Sequence, residues 1–235
     1  MTELDFIKRN LERVLERIKE TAEKRGRKSE EIEVVAVAKG FPPEYIREAI
    51  NAGITKIGEN RVQEAEKKIS QLKDLTCEWH MVGHLQKNKV KKAIKLFSLI
   101  HSLDRLELAY EIDKIAQREN LQVKVLIQLN LSQEPTKHGF IETEFWKLYD
   151  KIFELKNIKV MGLMTIGPLT DDKSEIRKVF KKLYNIWDRL RTEVKIDLPY
   201  LSMGMSEDFD IAIEEGANLL RLGRIIFSKE FEVRR

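Results

Sequence analysis

Polar and basic residues stand where apolar runs end in this chain. Val34 to Gly40 reads VVAVAKG, an apolar run that finishes in Lys39. Other runs end in Glu59–Asn60, His84, His101, Asn130, Met164–Thr165, Ser202–Met203–Gly204 and Arg221–Leu222–Gly223–Arg224. A lysine held in a partly desolvated mouth has its pKa pushed down and becomes a nucleophilic amine near neutral pH, the chemistry of Schiff-base formation with a carbonyl. A structural ion pair between Lys39 and Glu59 is the plainer alternative and weighs equally on these residues alone.

Two late glycine turns tip that balance. LSMGMSEDFDIAIEEGA places Ser202–Met203–Gly204 before a helical stretch beginning near Glu207, and LLRLGRIIF places Gly223 after another apolar run. Backbone N–H groups at such turns make an anion cradle, to which the Ser202 hydroxyl and the Arg224 guanidinium are placed to add donors. A carbonyl-reactive lysine opposite a phosphate cradle describes a site for pyridoxal 5'-phosphate. A Schiff-base aldolase acting on a sugar phosphate fits the same residues, with Glu59 or His84 as its general base.

The elements that must position these residues alternate along the chain. Strand candidates are 33–39, 55–58, 78–83, 97–101, 122–130, 158–164, 199–204 and 218–223, with helical stretches between them. PPEYIREAINAG opens on prolines and closes on Gly53, and the stretch from Ser102 carries Ser102 or Asp104 as its cap. Leu4, Ile7, Leu11, Val14, Ile18 and Ala22 recur at helical spacing, which predicts an amphipathic helix over about residues 3–25 with Thr2 as its N-cap. Strands alternating with helices predict a single-domain α/β fold, a (β/α)8 TIM barrel, whose chemistry gathers at the strand carboxyl ends. A doubly wound sheet is disfavoured because no G-x-G-x-x-G follows the first strand. Little chain remains for an eighth helix, and the N-terminal helix is expected to cover that gap.

Composition narrows the class. The 235 residues suit one large domain, and Lys+Arg exceeds Asp+Glu by 43 to 39, too even for a dedicated nucleic-acid binder. The lone Cys77 excludes an internal disulfide and a multi-cysteine zinc site. The amino terminus is charged throughout and no apolar run approaches a bilayer span, so a cytoplasmic protein without membrane contact is expected.

Five blocks carry a resemblance: VAVAKGFPPEYIREAINAGITKIGENRVQEAEKK, WHMVGHLQKNKVKKAI, IHSLDRLELAYEI, VMGLMTIGP and LSMGMSEDFDIAIEEGANLLRLGRIIF. Together they resemble the pyridoxal phosphate homeostasis proteins (the YggS/PROSC family), single-domain barrels of the alanine-racemase-like, fold type III class, over nearly the whole chain. The resemblance implies that Lys39 forms the internal aldimine with pyridoxal phosphate. It also implies that Arg221 contacts the pyridine nitrogen, that Asn60 lies near the ring, and that Ser202–Met203 and Gly223–Arg224 hold the phosphate. The family usually carries serine or threonine after the last glycine, where this chain has Arg224. The backbone N–H survives that change, the hydroxyl is lost, and the role of the guanidinium stays open at this point.

Arg221 bears on turnover. A permanently charged arginine disfavours a proton on the ring nitrogen, so the ring stabilises a carbanion poorly. The resembling racemases take a second acid/base from a tyrosine, whereas Tyr45, Tyr110, Tyr149 and Tyr184 fall in helical stretches and Tyr200 starts a strand. A carrier and regulator of the cofactor, without established turnover, is therefore preferred over a racemase-like enzyme. Apo-enzymes that use the cofactor are the expected clients and a monomer the expected state.

Other residues receive plainer readings. Lys87, Lys91 and Lys95 read as a solvated helix face, and nucleic-acid binding there is set aside. His80 and His84 do not read as a metal pair, because Gly83 and a strand context separate them; His84 is instead placed near the cofactor and His80 in the core. Lys137 in the loop after the fifth strand reads as a surface lysine, ahead of a second amine for exchange. Met161, Met164, Met203 and Met205 are expected as apolar walls near the ring.

Overall fold

Every apolar run expected as a strand forms one. The computed structural model describes residues 4–229. The strands are β1 (Glu33–Val37), β2 (Lys56–Glu59), β3 (Glu78–Met81), β4 (Leu99–Leu103), β5 (Val123–Leu129), β6 (Ile158–Thr165), β7 (Tyr200–Ser202) and β8 (Leu219–Leu222). All neighbours pair in parallel and close in chain order, β8 returning to β1 with Arg221 beside Val35. The helices are α1 (Asp5–Glu23), α2 (Pro43–Asn51), α3 (Val62–Gln71), α4 (Val90–Leu96), α5 (Leu106–Arg118), α6 (Glu142–Phe153), α7 (Lys173–Thr192), α8 (Phe209–Glu214) and α9 (Arg224–Phe227). The chain is thus a single (β/α)8 TIM barrel.

Burial divides into two apolar zones. The larger fills the space between strands and helices, while Val35, Leu99, Leu126, Met164 and Leu219 form a separate cluster from five strands, the side-chain plug that makes a small barrel solid. Gly162 in β6 shows how tightly the sheet packs, since a Cβ there would lie 1.9 Å from the Tyr200 carbonyl oxygen. A register shift in the β5–β6 pairing falls beside it.

α1 closes the weak corner. It buries Phe6, Ile7, Leu11, Val14, Ile18 and Ala22 and packs on α8 and α9. Asn10 Nδ2 donates to the Ile226 and Ser228 carbonyls, each at 3.2 Å. With α9 only four residues long, the N-terminal helix supplies the missing cover.

Some local expectations change. β1 stops at Val37, two residues short of Lys39. His101 lies in the middle of β4, fully buried, not at its end. Ser102 belongs to the same strand, and α5 follows Arg105 without a side-chain cap, because Asp104 is drawn to His84 and Arg105. α8 begins at Phe209, after a turn through Glu207. Thr2 lies outside the described residues.

Candidate functional site

The first strand delivers Lys39 through a tight turn. Ala38 N donates to Gly58 O at 2.9 Å, Phe41 N closes back on Ala38 O at 3.0 Å, and Gly40 takes a φ of +77° that only glycine adopts without strain. Lys39 emerges exposed at the carboxyl mouth of the barrel, so the partly desolvated setting expected for it is not found. Nor does it pair with Glu59. That carboxylate is fully buried and accepts from Lys68 Nζ at 2.5 Å; the same ammonium donates to Ala38 O at 2.8 Å. Burial pushes the Glu59 carboxyl above its ordinary range, and the Lys68 hydrogen bond pulls against that shift. Lys68 was not singled out from the sequence. Its signal was position, since it falls three residues after Ala65 and four before Leu72 on the buried face of α3.

On the opposite arc, β8 carries Arg221 into the barrel. Nη1 donates to Ser202 Oγ at 2.7 Å and Nη2 to Thr165 O at 2.8 Å. Burial lowers its pKa to about 10, with Asp208 opposing the shift, and the guanidinium stays charged at neutral pH. The donor direction then propagates. Ser202 Oγ, having accepted from Arg221, has its own O–H to donate to His101 Nδ1 at 3.3 Å, which selects the Nε2–H tautomer of His101. His101 is left with its proton on Nε2, which donates to His80 Nδ1 at 3.1 Å, and His80 Nε2 points to Glu78 at 3.4 Å. Both imidazoles must be neutral for this chain to hold. Burial agrees, lowering His80 to about 4 and His101 well below its ordinary value.

The two late turns are stitched together. Arg221 N donates to Gly204 O at 3.0 Å and Ile225 N to Ser206 Oγ at 3.3 Å. Gly204 needs its φ of +96°, and a Cβ on Gly223 would sit 3.1 Å from Val37 O, which keeps the β8 turn against the end of β1. Ser202 and Met203 are fully buried, and the Ser202 hydroxyl is already engaged with Arg221 and His101, so it does not stand open to an anion as expected. Arg224 points away from the turn and pairs with Glu207 at 2.8 Å, both side chains about two-thirds exposed. Its guanidinium does not occupy the place of the missing hydroxyl.

The remaining residues fall on the mouth or below it. Asn60 follows β2, and its Oδ1 is buried without a hydrogen-bond partner. Gly83 packs so closely that a Cβ would meet Asn60 O at 2.4 Å. Both line a cavity of about 560 Å3 with Arg61, His84 and Lys89. His84 Nδ1 lies 2.6 Å from Asp104 Oδ2. Asn130 is structural, donating to the Glu134 and Lys137 carbonyls, and Lys137 is tied to Glu134 and to Gly167 O. Met164 and Met203 are buried, whereas Met205 is partly exposed, contrary to its reading as a wall. Lys91 and Lys95 both pair with Glu119, so the basic helix face is partly neutralised.

The sequence and fold resemble those of known proteins. The family described as alanine racemase, N-terminal domain, matches residues 4–230. A pyridoxal phosphate homeostasis protein of Aquifex aeolicus is 47% identical over 219 residues, 93% of this chain and 96% of that one. The chain belongs to the pyridoxal phosphate homeostasis proteins. PipY of Synechococcus elongatus, solved with pyridoxal phosphate bound, is 34% identical with a TM-score of 0.81, covering 90% of this chain and 100% of its own. Alanine racemase of Clostridium difficile is 18% identical with a TM-score of 0.74, covering 95% of this chain and 59% of its own, a likeness of fold alone. Among the described residues no helix is long and apolar enough to cross a membrane.

Proposed function

We propose that this family member binds pyridoxal 5'-phosphate at the carboxyl mouth of the barrel and serves its supply and regulation, with Lys39 as the covalent anchor. The observation that carries this reading is Arg221. It is a buried guanidinium, hydrogen-bonded among the described residues only to neutral oxygens and registered beside the strand that leads into Lys39. The residues present suit the group. Asn60 Oδ1 is a buried acceptor without a partner, and the turns at Met203–Gly204 and Gly223–Arg224 would hold a phosphate on backbone N–H groups. Pyridoxal phosphate supplies an aldehyde carbonyl and a ring that accepts electrons when its nitrogen is protonated.

The chain's own residues define the rest. Lys39 forms no ion pair among the described residues and is exposed, so its amine reaches a carbonyl without breaking a structural contact. Arg221, fixed by two hydrogen bonds and still charged at neutral pH, would disfavour a proton on a ring nitrogen held beside it. A proton on the face opposite Lys39 would need a second acid. Tyr45, Tyr110, Tyr149 and Tyr184 lie on helices, and Tyr200 opens β7 at the far end of the barrel. Holding and releasing the cofactor to apo-enzyme clients is therefore favoured over racemase-like turnover.

The test is a visible spectrum with added cofactor, then borohydride reduction and peptide mass mapping. A yellow band that becomes a fixed pyridoxyl adduct on Lys39, and is lost in Lys39→Ala, is expected. An adduct on Lys137 or scattered over surface lysines would overturn the assignment.

A further inference from the structure

A second group of ligand-type side chains gathers at the same mouth. His84 follows β3, Asp104 follows β4, and His138 lies in the loop between β5 and α6. One ligand atom from each lies within 4.8 Å of the others. Asp104 Oδ2 is 2.6 Å from His84 Nδ1 and 3.9 Å from His138 Nδ1, and Arg105 Nη1 takes the other carboxylate oxygen at 2.5 Å. The carboxylate plane is thus fixed, with Oδ2 turned to both imidazoles. The Asp104 side chain is 2% exposed, whereas those of His84 and His138 are 33% and 58% exposed, which gives the cluster a rigid floor and an open top.

We propose that His84, Asp104 and His138 form a site for a divalent transition metal of the zinc, cobalt or nickel class. Two imidazoles and one carboxylate suit such ions, whereas magnesium and calcium prefer oxygen alone. Three protein donors leave a position for water or an exogenous ligand. Arg105 acts through the carboxylate as an outer-shell partner. The two rings now stack, with centroids 3.8 Å apart and planes 17° apart, so their in-plane lone pairs run side by side. Closing the site requires the His138 ring to turn out of the stack and the 2.6 Å His84–Asp104 hydrogen bond to open as the metal replaces its proton. The exposed His138 side chain has room to turn, while Gln128 Nε2 holds the residue's carbonyl at 2.8 Å. His80 takes no part, since its ring faces His101 inside the barrel. The site does not use Lys39, but His84 shares a cavity with Asn60, so the titration is read with and without the cofactor.

The test is a Co2+ titration of untagged, chelator-treated full-length protein, read by equilibrium dialysis and visible d–d absorption, with and without pyridoxal phosphate. One equivalent is expected to bind with a low-symmetry spectrum. His138→Ala should weaken it at least about 100-fold and Arg105→Ala about 10-fold, while Lys39→Ala binds as the parent does. Urea midpoints equal to the parent's show that a variant has lost ligands rather than fold; His138 lies in an exposed loop, so His138→Ala keeps the test decisive. Absence of stoichiometric binding by the parent, or His138→Ala binding within threefold of it, overturns the site.

Discussion

Lys39 and Lys68 serve the same strand end and differ in almost everything else. Lys68 is buried, pairs with a fully buried carboxylate and caps the carbonyl of Ala38. One residue further on, Lys39 is exposed and forms no ion pair among the described residues. A buried cation must have its counter-charge and hydrogen bonds supplied by the fold, and a cation so held cannot also attack a carbonyl. The turn that presents the reactive amine is instead pinned from beneath by the other lysine. Desolvation here belongs to the scaffold of the site and not to its nucleophile.

Removing each amine is the sharpest way to break this contrast, and it carries the largest effect. Lys68→Met strands Glu59 in the core without a counter-charge and should cost about 3–5 kcal/mol in urea unfolding. Replacing both partners, as Lys68→Met with Glu59→Gln, should recover most of that loss. Lys39→Ala should stay within about 0.5 kcal/mol of the parent, as exposed positions do, while abolishing the covalent adduct. If Lys39→Ala proved as destabilising as Lys68→Met, the division between scaffold and nucleophile would be wrong.

The two lysines also show what was legible in the sequence. The barrel could be read because eight apolar runs alternate with amphipathic stretches, and each run became a strand within a few residues. The short C-terminal remainder and the periodicity of Leu4 to Ala22 foretold the covering role of α1. Mouth positions such as Lys39, Asn60 and Gly223 follow from strand ends once the fold is set. Pairings across the barrel do not. In the sequence Lys68 is one more charge on a charged helix, and nothing local tells that Glu59 turns to it. His101 looked like a strand terminus, whereas the strand runs on to Leu103 and buries it. The His84–Asp104–His138 cluster joins three separate loops, a proximity that no spacing encodes.

Acid sharpens the comparison from the Arg221 side. Burial lowers His80 from 6.5 to about 4 and His101 well below its ordinary value, so the unfolded chain takes up protons that the folded chain refuses. Stability should therefore be full above about pH 6.5 and fall as pH drops toward 4, by about 3 kcal/mol for His80 alone. Glu78 and Lys56 face His80 with opposing signs, Glu78 favouring its charged form and Lys56 disfavouring it. Glu59 carries the reverse sign. Its raised pKa means the folded chain holds that proton more tightly, so its contribution is lost as pH rises through the carboxylate range. Urea midpoints at pH 7 and pH 5 distinguish the two regions: a midpoint that did not fall at pH 5 would remove the neutral histidine chain from the account.

The smallest effect is expected where sequence alone left the role open. Arg224 stands where the resemblance implies a hydroxyl residue, and its guanidinium is the candidate to take over that contact. It is instead paired with Glu207 at the surface, both side chains about two-thirds exposed, and such pairs contribute about 0–1 kcal/mol. Arg224→Ala should leave the urea midpoint unchanged within about 0.5 kcal/mol. Because the backbone N–H at that position survives the substitution, cofactor affinity by fluorescence titration should stay within about twofold, a change below RT in free energy. A tenfold loss would mean that the guanidinium leaves Glu207 and swings onto the ligand. Arg224 would then join Arg221 as a charge on the cofactor, and only the latter would be held in place before the ligand arrives.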